Sequence, residues 1–182
     1  MGMFVYKMFK PGLVCRGYKF VEGLNECEHA TCVKEGFHAA ENPLDCLSYY
    51  PDFDDIECWL CYAAGDIHED GTDSKISCTR LEILRRLTKP EFVTEAVNYM
   101  LEHPKRKWSE HIKRDKGETN DNGFAIVVGE SPYAIAKEND AVIALVRTDE
   151  HGNPLKFALL YGPQVRKGCT YHLKEALPYE EC

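Results

Sequence analysis

The groups in this chain that could do chemistry are thiols, imidazoles and carboxylates, and most of them fall in its first half. Cys27, His29 and Cys32 with His38, and the later pair Cys58 and Cys61, are ligand types that zinc prefers. Their spacing does not suit one ion. Cys58 and Cys61 fall in a run that reads as a strand, where residues three apart point to opposite faces. They read instead as small buried hydrophobes, and no metal is expected. Cys15 with His38 or His172 holds pieces of a thiol nucleophile and its base, but nothing in the sequence fixes them together in space. No phosphate-cradling glycine loop, nucleophile elbow or metalloprotease helix occurs along the chain. The expectation is therefore a protein that binds rather than catalyses, with no catalytic residue and no cofactor.

Two charged segments are the candidate contact surfaces. The acidic run Asp52, Asp54, Asp55 and Glu57 lacks the glycine and the closing glutamate of a calcium loop. It is a candidate partner-binding surface that competes for a basic groove, or else a solvated loop. The basic segment Lys105, Arg106, Lys107, Trp108, Lys113 and Arg114 offers ionic contacts to phosphates and one aromatic ring for stacking. Glu110 and Asp115 interrupt it, and an ordinary amphipathic surface is the plainer reading.

The elements that would position these groups predict an α+β fold: a mixed or antiparallel sheet, two to three helices and a β-rich C-terminal part. Phe4 to Lys10 and Leu13 to Phe20 flank a Pro11-Gly12 turn and predict a first hairpin. Asn42-Pro43 starts a short helix, with Asn as cap and Pro at the first helical position. Residues 56–64 alternate in a run apolar on nearly both faces, which predicts a central strand. Residues 74–87 read as a further strand, although Leu81, Leu84 and Leu87 also fit a helical spacing. From Pro90, the side chains Phe92, Val93, Ala96, Val97, Met100 and Leu101 recur along one helical face until Pro104. Lys105 to Lys116 reads as a second helical piece. After Gly117 come short apolar runs divided by turn residues, with a worn repeat visible at Phe124-Ala125, Tyr133-Ala134 and Ala141-Val142. The organisation is then a strand-rich part over 1–88, a basic helical segment over 89–117 and a β-rich part over 118–182, expected to form one compact unit.

With 182 residues the chain can bury a sizeable core without staples. No run approaches the length and apolarity of a bilayer span, and the start lacks the layout of a signal peptide, so a cytoplasmic protein is expected. Its nine cysteines should then be reduced thiols, with Cys182 prone to intermolecular oxidation on storage. The net charge of −8 is uneven: residues 1–78 carry −8, 79–117 carry +4 and 118–182 carry −4. Such asymmetry steers association with charged partners.

Two resemblances sharpen this picture. Cys15-Arg16-Gly17-Tyr18, then Gly36-Phe37-His38 followed by Asn42-Pro43 and Tyr50, resembles a phage and prophage domain family of unknown function. The whole sequence, in length and acidic balance, resembles type II-A anti-CRISPR proteins of phages or mobile elements. That resemblance implies a protein that binds a type II CRISPR effector nuclease with its guide RNA in the bacterial host cell. It would prevent target cleavage without modifying the nuclease, possible DNA contact included. The same elements also resemble ADP-ribosyltransferase-like folds, with Arg16 and His38 as nicotinamide-site residues, although no suitably placed glutamate is identifiable. A phage nucleic-acid binder acting through the basic segment is the third reading.

Overall fold

The computed structural model describes all residues except 1, 32–33, 52, 54, 70, 72 and 175–177. The chain divides into two contiguous units, Met1–Thr88 and Lys89–Cys182.

The first unit is an antiparallel sheet that closes on itself. Its strands are β1 (Met3–Phe9), β2 (Val14–Cys15), β3 (Tyr18–Lys19), β4 (Gly23–Glu26), β5 (Phe37–Ala40), β6 (Glu57–Glu69) and β7 (Lys75–Arg86). The order β4-β7-β5-β1-β6 is closed by a further pairing of β6 with β7, and β2 and β3 form a separate small hairpin. Alternation along β1 and β6 supplies the interior: Val5 and Phe9 from one, Trp59, Cys61 and Ala63 from the other, packed on Ile76, Leu81 and Ile83 of β7. Each large side chain buried in this way stabilises the unit by about 1.5–3 kcal/mol relative to exposure. Between β5 and β6 a single 3-10 turn, Pro43–Ser48, is capped by Asn42, whose side chain accepts from the Leu44 amide.

In the second unit, α1 (Lys89–Glu102) buries Phe92, Val93, Ala96, Val97 and Met100. There follow β8 (Ile112–Glu118), β9 (Phe124–Ile135), β10 (Asp140–Thr148), β11 (Pro154–Gly162), β12 (Thr170–Leu173) and β13 (Pro178–Glu181). The sheet runs β11-β10-β9-β12-β13, with β8 on β9. β9 and β10 are consecutive yet parallel, with Val142 opposite Phe124 and Arg147 opposite Gly129. Parallel neighbours need a crossover. Here the far half of β9 parts from β10 and pairs instead with β12, through Tyr133, Ala134 and Ile135. A disulfide joins Cys169 to Cys182 and so ties down the last strand.

Four expectations are corrected. The fold is mostly β rather than α+β with two to three helices: among the described residues, α1 and the 3-10 turn are the only helices. Lys105 to Lys116 is not helical, because Trp108 and Ile112 alone give no apolar face to bury; instead β8 lends Ile112 to β9 opposite Ile126. Pairing to a sheet overrides local propensity. The first hairpin is also not the one expected, because β1 spends its length on β6. Leu13 to Phe20 makes its own turn at Arg16-Gly17, with Cys15 opposite Tyr18, and only Lys10 and Val14 bridge across Pro11-Gly12. Cys182, expected to be a free thiol, is bonded within the chain. No helix among the described residues is long and apolar enough to cross a membrane.

Candidate functional site

The closed sheet of the first unit has a weak seam. β1 and β6 are in register along the whole of β1, whereas β1 and β5 share one Cα pair, Tyr6 with Ala40. Where the two strands part, a cavity of about 350 Å³ opens, flanked by the β2–β3 hairpin and the end of the 3-10 turn.

Lys7 sits in this seam. It shares the inward face of β1 with Val5 and Phe9, and only 6 % of it is exposed. Its ammonium donates to the main-chain carbonyl of His38, supplying a bond that the ladder does not make there. The same ammonium lies 5.4 Å from the Phe9 ring centroid and 5.2 Å from that of Phe20. Among the described residues no carboxylate pairs with Lys7, and none lines the cavity. A buried ammonium normally has a counter-charge, because removal from water costs several kcal/mol per ion. Lys7 therefore presents spare donors and an uncompensated charge to the cavity.

The hairpin adds a second cation. Arg16 and Gly17 both have positive φ, 49° and 83°, as a two-residue hairpin turn of the primed type requires. Glycine adopts this conformation freely, whereas an arginine there costs about 1–2 kcal/mol. Arg16 is thus held in a strained position at the cavity wall, and strain of this kind clusters at sites of use. Beyond the turn, Tyr18 stacks edge-on against Phe20 with centroids 4.7 Å apart, and Phe20 in turn lies 5.2 Å from Phe37. These rings form an aromatic wall.

The opposite wall comes from β5, β7 and the 3-10 turn. Burial, and then the positive charges of Lys7, Lys75 and Arg16, lower the affinity of His38 for a proton. The Lys75 ammonium donates to the Tyr49 hydroxyl at 2.8 Å and lies 5.0 Å from the centre of that ring. The Cys15 sulfur is 3.1 Å from the Tyr50 hydroxyl, and burial, followed by that contact, raises the tyrosine well above its ordinary value. Gly36 precedes Phe37 at φ 89°, where an added Cβ would stand 2.9 Å from the Ala30 Cα and 3.0 Å from the Cys78 carbonyl. Chemically, the site is a concave, cationic, ring-lined cleft that suits an anion bearing an aromatic or otherwise planar group.

The motifs singled out in the sequence meet here: Cys15, Arg16 and Tyr18 from the β2–β3 hairpin, Gly36, Phe37 and His38 at β5, and Tyr50 just after the 3-10 turn all border the cavity. Sequence reasoning passed over Lys7, Lys75 and Tyr49. Lys7 carried a signal, since it is the one charged residue in step with Val5 and Phe9 in an otherwise apolar strand.

No described residue of the two charged segments lines the cavity. Of the acidic run, Asp52 and Asp54 fall outside the described residues and Asp55 is exposed. Glu57 is 3.3 Å from Arg86 and accepts from the Trp59 indole at 3.4 Å. In the second unit, Lys105, Arg106, Lys107 and Trp108 lie between α1 and β8, while Lys113 and Arg114 are on β8. The Arg114 guanidinium lies 4.6 Å from the Trp108 ring centroid, the Lys113 ammonium donates to the Glu110 carbonyl at 2.8 Å, and Arg106 is 5.9 Å from the Tyr99 ring.

Burial pushes Cys46 and Cys61 up to about 12 and Cys78 to about 11. Such thiols are neutral packing groups at ordinary pH. Among the described residues, Cys169, Glu180 and Cys182 are the one group close enough to hold a metal, but there the two sulfurs are bonded to each other.

Residues 3–95 match the model of a domain of unknown function, DUF7666, a stretch that contains every residue of the cavity. No curated protein and no solved structure matches the chain.

Proposed function

The chain belongs to the DUF7666 family, whose function is unknown, and we propose from the chemistry of its cleft that it is a binding protein directed at a nucleic-acid-containing partner. The partner is a type II RNA-guided effector nuclease with its guide RNA, which this protein inhibits without modifying it, in the cytoplasm of the bacterial host. The observation that carries the proposal is the buried, uncompensated Lys7 in a cleft whose charged lining is wholly cationic and whose walls are aromatic. Nucleic acid supplies the matching anion and rings. Arg114 stacked on Trp108 in the second unit offers a further contact of the same type, one that leaves DNA contact open. The net charge of −8 suits the protein part of the partner, since such nucleases hold their heteroduplex in a positively charged channel.

The test is cleavage of a matched plasmid by a type II nuclease loaded with guide, at rising amounts of this protein. Loss of cleavage near equal stoichiometry, with a complex on size exclusion, is the expected result. Full cleavage at large excess across several nucleases of that type overturns the proposal.

A second reading, an ADP-ribosyltransferase-like enzyme, is favoured by Arg16 and His38 bordering one cavity. What counts against it is the missing acid: no carboxylate lines the cavity among the described residues. Incubation of nuclease with NAD and this protein, followed by intact-mass analysis, decides it. An added ADP-ribose mass would establish transfer, and an unchanged mass would remove it.

A further inference from the structure

We propose that the seam cavity holds one terminal nucleotide, seated with its phosphomonoester at the Lys7 ammonium and its base against the tyrosines of the rim. The proposal rests on the nucleic-acid reading above and names the part of the ligand that the cleft takes.

Depth sets the order of the groups. Lys7 is the innermost cation, 6 % exposed, whereas Tyr18 and Tyr49 are 50 % and 45 % exposed. A phosphate therefore goes in first and the base stays at the mouth. The cavity of about 350 Å³ is at the lower end of small-molecule sites, which run from about 300 to 1,000 Å³, a size for one nucleotide and not for a strand. Arg16, fixed in its strained turn, and Lys75, bonded to Tyr49, supply charge on either side. The base finds the Tyr18 face, itself braced by Phe20 and Phe37.

A phosphate at that depth is a chain end. An internal phosphodiester carries nucleotides on both sides, and a cavity of about 350 Å³ has room for only one of them. The cleft accordingly discriminates a phosphorylated end, or a free nucleoside monophosphate, from a hydroxyl end and from continuous strand. Both sources offer the same phosphomonoester and base.

The test is calorimetric titration of the full chain with AMP, adenosine, inorganic phosphate, and a short adenylate RNA bearing either a 5′-phosphate or a 5′-hydroxyl. AMP or the phosphorylated RNA should bind at least about tenfold more tightly than adenosine or the hydroxyl RNA, the worth of one good ionic contact. Tighter binding of AMP than of phosphorylated RNA assigns the free nucleotide; the reverse assigns the strand end. Lys7→Met and Arg16→Gly should each weaken binding by at least about tenfold, while Lys10→Met, on an exposed residue outside the cavity, leaves it unchanged. Arg16→Gly also guards against misfolding as the cause, because it relieves the strained turn and should raise the melting temperature while binding falls. Absence of binding at millimolar ligand, equal binding of both RNAs together with AMP no tighter than adenosine, or indifference to both variants overturns the proposal. Nucleotide binding beside undiminished plasmid cleavage would remove the inhibitor reading and leave the site; inhibition without nucleotide binding would do the opposite.

Discussion

The Lys7 ammonium donates to the main-chain carbonyl of His38 across the seam of the N-terminal unit where β1 and β5 part. A side chain here stands in for a ladder bond, and it brings a charge with it. Lys7→Met exchanges a buried, uncompensated ammonium for an apolar chain of similar length. It loses one hydrogen bond of about 1 kcal/mol and removes a desolvation cost of comparable or greater size. Urea unfolding should therefore show a stability within about 1 kcal/mol of the parent, against the loss of about 3–5 kcal/mol expected if the lysine were half of a buried ion pair.

Gly36 is held where neither the dihedral nor the space admits a side chain. Gly36→Ala meets the Ala30 Cα and the Cys78 carbonyl within 3.0 Å, at φ 89°. A loss of about 2 kcal/mol or more is expected from strain and overpacking together, read as a fall in melting temperature. Gly17, at φ 83° but with nothing within 4 Å, should lose less, about 1 kcal/mol, on the same change.

Acid should weaken the N-terminal unit through His38. Burial and three nearby cations hold its proton affinity below the ordinary value of 6.5, so the unfolded chain takes up this proton first. Its contribution to stability is complete above 6.5 and is lost as pH falls through the lowered folded value. NMR titration of the ring should give a midpoint under 6.5, and His38→Asn should flatten the part of the urea midpoint's pH dependence that falls just below 6.5. A bound phosphate would move the His38 midpoint upward.

Alkylation should separate the cysteines by place. Cys46, Cys61 and Cys78 are buried and raised to about 12, about 12 and about 11, and Cys58 is raised well above its ordinary value by the same burial. Iodoacetamide at neutral pH should leave these four unlabelled in the folded protein and label all of them in urea. Native labelling at Cys46 or Cys58 would mean that the unit opens on the timescale of the reaction.

The disulfide closes a loop between residues 13 apart in sequence. Chain entropy puts a bridge over such a loop at about 3 kcal/mol. Cys182→Ser should lower the stability of the C-terminal unit by about that amount at most, and added dithiothreitol should reproduce the loss in the parent and change nothing in the variant.

What could be read from the sequence was what depends on neighbours along the chain. The amphipathic spacing from Phe92 to Met100 gave α1, Asn42-Pro43 gave the capped turn, and the apolar run after Ile56 gave the core of β6. Sheet partners were not legible, because nothing in Ile112 states that it will pair with Ile126, or that β9 will bend so that its successor lies parallel to it. The site was half legible for the same reason. Its motif residues stood out as an unusual run, but Lys7, Lys75 and Tyr49 join them only once β1, β5 and β7 are side by side. Charge runs drew attention to residues that do not line the cavity.

The left-handed Arg16 also has a consequence at the level of codons. Every arginine codon is a single base change from a glycine codon, so a version of this turn without the strain lies one mutational step away. Selection of random variants for thermal stability alone should therefore reach glycine at this position early. Selection that also demands the activity of the cleft should discard it, and the frequency of that one substitution in the two regimes would measure how far the turn is maintained for use and not for folding.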